Sequence, residues 1–144
     1  MKNFKNIHIG SLIHQAVKES NIELSRICNF LKCSEKEILG MYEAESLDTD
    51  TLLRWSKLVE YDFFRVYTQH LILYAPQGNI DNNNKISEDK QSKLPEFRKN
   101  IYTREVIEFI MELIDTGAKT RLQVIKEYKI PKTTLYKWID KYKK

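Results

Sequence analysis

The sequence predicts an all-α protein made of two small helical modules joined by a polar linker. Three observations predict it. Helix breakers are scarce, with four Gly and three Pro in 144 residues, while Leu, Ile, Lys and Glu are abundant. Apolar residues recur at helical spacing, and no strand-period run exceeds a few residues. Between Pro76 and Pro95 the chain is almost wholly polar and without period, passing through Gln77-Gly78-Asn79 and Asn82-Asn83-Asn84. These features place a first module at residues 7–75, a linker at 76–96 and a second module at 97–144. Hydrophobic residues make up 42% of the chain, enough for a core in each module. A linker of about 20 residues spans roughly 25 Å.

Helical spacing divides the first module into five pieces. Ile9–Ser20 carries Leu12, Ile13, Ala16 and Val17 on one stripe. Glu23–Lys32 carries Leu24, Ile27, Cys28 and Leu31. Ser34-Glu35-Lys36-Glu37 is a capping box that starts a helix with Ile38, Met41 and Tyr42 inward. Asp48 or Asp50 caps a helix holding Leu52, Leu53, Trp55, Leu58 and Val59. The run 62–75 is apolar on more than one face, which predicts broad burial, a homodimer contact, or both.

The second module divides into three. Thr103–Asp115 carries Val106, Phe109, Ile110, Leu113 and Ile114, and stops at Thr116-Gly117. Thr120-Arg121-Leu122-Gln123 is a second capping box; it opens a short helix with Val124, Ile125 and Tyr128 inward. Lys129-Ile130 forms a tight turn. Pro131 opens a last helix with Leu135, Trp138, Ile139 and Tyr142 on its buried side. A short helix, a tight turn and a second helix, preceded by a stabilising helix, is the helix-turn-helix arrangement. The second module is thus expected to be a helix-turn-helix.

Charge is unevenly distributed along the chain. The net charge is +4, but residues 1–75 carry 9 Lys/Arg against 10 Asp/Glu, whereas residues 119–144 carry 9 against 2. A polyanion such as double-stranded DNA would therefore be met by the C-terminal end. On the last helix, the side away from the apolar stripe shows Lys132, Thr133, Tyr136, Lys137, Asp140, Lys141 and Lys144, with Thr134 at the boundary. The first turns of such a helix reach base edges, which suits Thr133, Thr134 and Tyr136. Lys132, Lys137 and Lys141, with Lys119 and Arg121 from the preceding helix, suit phosphates.

These residues also resemble a known family. Ile130-Pro131-Lys132-Thr133-Thr134-Leu135-Tyr136-Lys137-Trp138-Ile139, preceded by Tyr102-Thr103-Arg104-Glu105 and by Arg121–Tyr128, is similar to the N-terminal helix-turn-helix of insertion-sequence transposases. The resemblance implies DNA recognition by the last helix. Pro131 stands where that family usually has Ser, so a side-chain cap worth roughly 1 kcal/mol is missing. The first module resembles, more distantly, the five-helix domain of phage Cro and repressor proteins. The resemblance lies in Ile9-Gly10, in Ile27-Cys28 where Leu-Ala is usual, in Lys32-Cys33-Ser34 where Gly-Val-Ser is usual, and in Leu52–Val59. Leu24 stands where that family commonly has a DNA-contacting Gln. The helix placed to read DNA begins Ser34-Glu35-Lys36-Glu37 and leads on to Glu43 and Glu45, so it is net acidic. Two readings of this module stay open: a second DNA surface through Lys32, Ser34 and Lys36, or a scaffold for dimerisation or partner binding. Taken whole, with Tyr61-Asp62-Phe63-Phe64 and Tyr74-Ala75-Pro76, the chain looks like small bacterial transposase-related proteins.

Other chemistry finds little support in the sequence. Transposition itself needs metal-binding carboxylates on a strand-rich core, and the Asp and Glu here scatter over helix surfaces. No nucleophile-base set, Gly-rich phosphate loop or HExxH motif is present, so no catalysis, cofactor, metal or small-molecule ligand is expected. Cys28 and Cys33 read as small reduced side chains. The start of the chain lacks the apolar block of a signal peptide, and the longest apolar run, Leu71–Ala75, is far too short to span a membrane. A cytoplasmic location beside the chromosome is expected.

Overall fold

The computed structural model describes residues 4–76, 93–95 and 102–142. Most of the expected linker, residues 77–92 and 96, lies outside the described residues, as do Lys143 and Lys144. The described chain is all-α, with eight helices and no strand. They are α1 (Ile9–Ser20), α2 (Leu24–Leu31), α3 (Glu35–Glu43), α4 (Thr49–Val59), α5 (Phe64–Tyr74), α6 (Arg104–Asp115), α7 (Arg121–Tyr128) and α8 (Lys132–Tyr142). They group into two compact units, one ending at Thr68 and one beginning at Gln69.

Side chains set the helix starts. At α3 the Glu37 amide donates to Ser34 Oγ (3.2 Å) and the Ser34 amide donates to Glu37 Oε2 (2.7 Å). At α4 the Thr51 amide and hydroxyl donate to the two oxygens of Asp48 (2.8 and 2.7 Å). Asp48, not Asp50, is therefore the cap. The cap of α1 is His8, whose Nδ1 accepts from the Ser11 amide at 3.1 Å. Hydrogen bonds from the Ser34 backbone and then its side chain hold Glu37 below the ordinary carboxylate range, and those from the Thr51 side chain and then its backbone do the same for Asp48. A carboxylate depressed in the folded state adds stability above its unfolded pKa and loses it as pH falls through the folded one. The N-terminal unit should therefore lose thermal stability on acidification below the ordinary carboxylate range. Glu37→Gln should weaken that pH dependence in melts followed by circular dichroism.

Three helices end on left-handed residues that are neither Gly nor Asn: Lys32 (φ 54°), Glu60 (φ 53°) and Lys129 (φ 52°). A side chain in this region costs roughly 1 kcal/mol relative to glycine. Glu60→Gly should raise stability by about 1 kcal/mol, read as a higher urea midpoint with unchanged m.

In the N-terminal unit α1 lies against α3 and α4, and α2 against the same two helices. The core gathers Ile9, Ile13, Ile27, Leu31, Ile38, Tyr42, Leu52, Trp55, Leu58, Val59 and Phe63. Trp55 is wholly buried, and its Nε1 donates to Met41 Sδ at 3.3 Å. Where α1 crosses the end of α3 the backbones nearly touch. The Ile9 amide donates to the Glu45 carbonyl (3.1 Å) and the Gly10 amide to the Ala44 carbonyl (3.0 Å). Leu53, expected inward, is instead exposed. Along α5, for which broad burial was expected, Phe64, Val66, Tyr67 and Ile72 are half-buried. Its Gln69 and Leu73 are buried, whereas Leu71 is 58% exposed and Tyr74 also faces solvent.

In the C-terminal unit α6 packs on α8. Val106, Ile110 and Met111 face inward with Val124, Tyr128, Ile130, Leu135, Trp138 and Ile139. Tyr102 stands edge-on to Trp138 at 4.9 Å between ring centres. Gln69, the buried polar residue of α5, accepts from the Thr103 hydroxyl at 2.9 Å, so its amide oxygen is satisfied in a setting where an orphan would be costly.

Candidate nucleic-acid interface

The candidate interface is built by α7, its turn and α8. Thr120 starts α7 through the expected reciprocal pair, with the Gln123 amide donating to Thr120 Oγ1 (3.2 Å) and the Thr120 amide donating to Gln123 Oε1 (2.8 Å). Val124 and Tyr128 bury one side of α7. Lys129 reverses the chain in the left-handed conformation, and Ile130 pins the turn into the core at 1% exposure. The Pro131 carbonyl then accepts from the Leu135 amide at 3.0 Å, which begins α8. Leu135, Trp138 and Ile139 hold α8 against the unit. Tyr142, expected on that buried stripe, is exposed, and its ring lies 5.4 Å below the Lys141 ammonium.

Fixing that inner side fixes the outer one. Lys132, Thr133, Tyr136, Lys137, Asp140 and Lys141 are all exposed, and Thr134 is half-buried at the margin. Arg121 joins them from α7. Its guanidinium carbon lies 5.6 Å from the centre of the Tyr136 ring, and the Lys132 ammonium lies 5.7 Å from the same ring. One aromatic ring thus gathers a cation from the start of each helix, an attraction worth about 0.5–1 kcal/mol at an exposed site. Among the described residues, Arg121, Lys132, Lys137 and Lys141 make no ion pair with a carboxylate. Lys119 is engaged differently. It pairs with Glu127 and lies over the Tyr128 ring, and the hydrogen bond to Glu127 raises its pKa. Leu122, beside Arg121, is 76% exposed, a feature the sequence reading passed over.

The α2–α3 pair has the same construction. Each pair consists of an eight-residue helix, a three-residue turn opening on a left-handed lysine, and a second helix. Burial repeats position by position: Ile27 with Val124, Leu31 with Tyr128, Ile38 with Leu135, Tyr42 with Ile139. The outward chemistry does not repeat. Where α8 shows Lys132, Thr133, Tyr136, Lys137 and Asp140, α3 shows Glu35, Lys36, Leu39, Gly40 and Glu43, all exposed. Ser34 spends its side chain and amide on the capping box. Lys32 and Lys36 are exposed, and Lys36 lies between Glu35 and Glu37 in the sequence.

No helix among the described residues is long and apolar enough to cross a membrane, and no group of His, Cys, Asp and Glu among them is placed to hold a metal ion. Both cysteines are free thiols. No family model, curated protein or solved structure matches this chain.

Proposed function

We propose that this protein binds double-stranded DNA, as a transcriptional regulator or a non-catalytic accessory of a mobile element, with α8 entering the major groove. One observation carries the reading: the outward side of α8 with Arg121 presents four cations and one carboxylate, Asp140, on a helix locked against its unit by Leu135, Trp138 and Ile139. An α-helix with its side chains is about 10–12 Å across and fits a groove about 12 Å wide. Thr133 and Tyr136, near its start, are positioned for base edges, with the half-buried Thr134 beside them. Lys132, Lys137, Lys141 and Arg121 serve phosphates, and Lys119 joins them when its pair with Glu127 opens. The resemblance of 102–139 to transposase helix-turn-helix modules supports the same reading, which implies a cytoplasmic, nucleoid-associated location.

A fluorescence-anisotropy titration of genomic duplex fragments at two salt concentrations tests this. Four to five phosphate contacts give a slope of about −4 in log K against log salt. Absence of salt-sensitive binding below about 10 µM, well inside the usual range of non-specific affinity, would overturn the reading. A second reading, a helical dimerisation or recruitment module with weak or no DNA binding, draws support from the exposed Leu71 and Tyr74 of α5. These side chains suit a homodimer through the 62–75 segment.

A further inference from the structure

The outward face of α3 has the placement of a DNA-reading helix and the wrong charge for one. Glu35 and Glu43 lie on it, both exposed, against a single exposed Lys36; on α2 and its turn the exposed Glu23 stands with the exposed Arg26 and Lys32. Among the described residues Glu35, Lys36 and Glu43 make no ion pair. In the middle stands Leu39, 57% exposed, and beside it Gly40, where an added Cβ would meet nothing within 4 Å. The face is therefore an apolar knob beside a bare stretch of backbone, with a carboxylate toward each end of the helix. Phosphates are repelled there. An element of opposite charge with apolar side chains of its own is attracted, and this chain has one. The α7–α8 face offers Arg121, Lys132, Lys137 and Lys141 around the exposed Leu122 and Tyr136.

We propose that the outward face of α3 is the docking site for the cationic α7–α8 face of a second copy, so that the protein self-associates head to tail and masks its own DNA-reading surface. Tyr136 and Leu122 lie against Leu39 and the Gly40 backbone, while the lysines and Arg121 meet Glu35 and Glu43. The two faces differ, so the contact is heterologous and a pair of copies retains one free face of each kind, α8 on one copy and α3 on the other. Association then continues beyond a dimer. DNA competes for the α8 face and dissolves the assembly. The masking rests on the DNA reading; the self-association does not.

Sedimentation of the full chain over a concentration series in low salt tests the docking. The average mass should rise past that of a dimer, and should fall to the monomer in about 1 M salt, where the screening length is near 3 Å. E35K/E43K alone and K137E/K141E alone should each weaken association at least about 10-fold. An equimolar mixture of the two variants should associate, because the unaltered α8 face of the first meets the unaltered α3 face of the second. Circular dichroism of each variant should match the parent, since all four positions are exposed. A parent chain that stays monomeric at every concentration overturns the proposal. So does association that survives in both variants, which would point to α5, or a mixture that fails to associate. If the mixture associates but the parent binds no duplex, the docking stands and the DNA reading falls.

Discussion

Gly10→Ala should unfold or severely weaken the N-terminal unit. A Cβ at this position would lie 2.3 Å from the Met41 carbonyl oxygen, 2.5 Å from that of Tyr42 and 2.7 Å from that of Ala44. All three are backbone atoms at the end of α3, so no side chain can swing aside. Relief requires α1 to move away, which breaks the Ile9 and Gly10 amide hydrogen bonds to Glu45 and Ala44. It also opens the core at Ile9 and Ile13, both wholly buried. Overpacking of this kind costs about 3 kcal/mol or more. A unit of this size has roughly 5 kcal/mol to lose, so the melting temperature should fall by about 15 °C. Gly40→Ala is the matched control. It has open space around it and sits within a helix, so it should stabilise by about 0.5–1 kcal/mol. Equal effects at the two glycines would contradict the close-approach account. So would a Gly10→Ala protein that melts like the parent.

The paired reversal K137E/K141E should lower affinity for duplex DNA by about 100-fold near 0.1 M salt. Each phosphate contact contributes slightly less than one unit of log K at that salt, and two are lost. The introduced carboxylates add repulsion. The slope of log K against log salt should become shallower by about 2. Both positions are exposed and neither side chain takes part in the core, so helicity and melting temperature should stay near the parent values. Unchanged affinity would mean that DNA, if bound, meets another face.

Much of the fold can be read from the sequence because the signals are local. The capping boxes at Ser34/Glu37 and Thr120/Gln123 are contacts between residues three apart, and both are present in the structure. The inward set Leu135, Trp138 and Ile139 follows from helical spacing alone. What stays illegible depends on distant partners. Gly10 reads as an ordinary helical glycine until α3 is placed beside it. Gln69 reads as a polar surface residue until the Thr103 hydroxyl reaches it. Lys32, Glu60 and Lys129 carry no sequence mark of a left-handed turn, because glycine would be the usual signal there. His8 is an uncommon cap. The position-by-position match of burial between the α2–α3 and α7–α8 pairs is hidden because they share burial but not residue types. Of the candidate interface, sequence supplies the cations and their helix; it does not show that one Tyr136 ring holds both Arg121 and Lys132, or that Lys119 is paired with Glu127.

The central claim is that α8, and not the equivalent α3, meets DNA. Amide chemical-shift mapping of the full chain during titration with a short duplex tests it most directly. The account predicts perturbations concentrated at Arg121, Lys132, Thr133, Tyr136, Lys137 and Lys141, with no direct contact at Glu35, Leu39 and Glu43. Perturbations centred on α3, or none along α8 at saturating duplex, would contradict it.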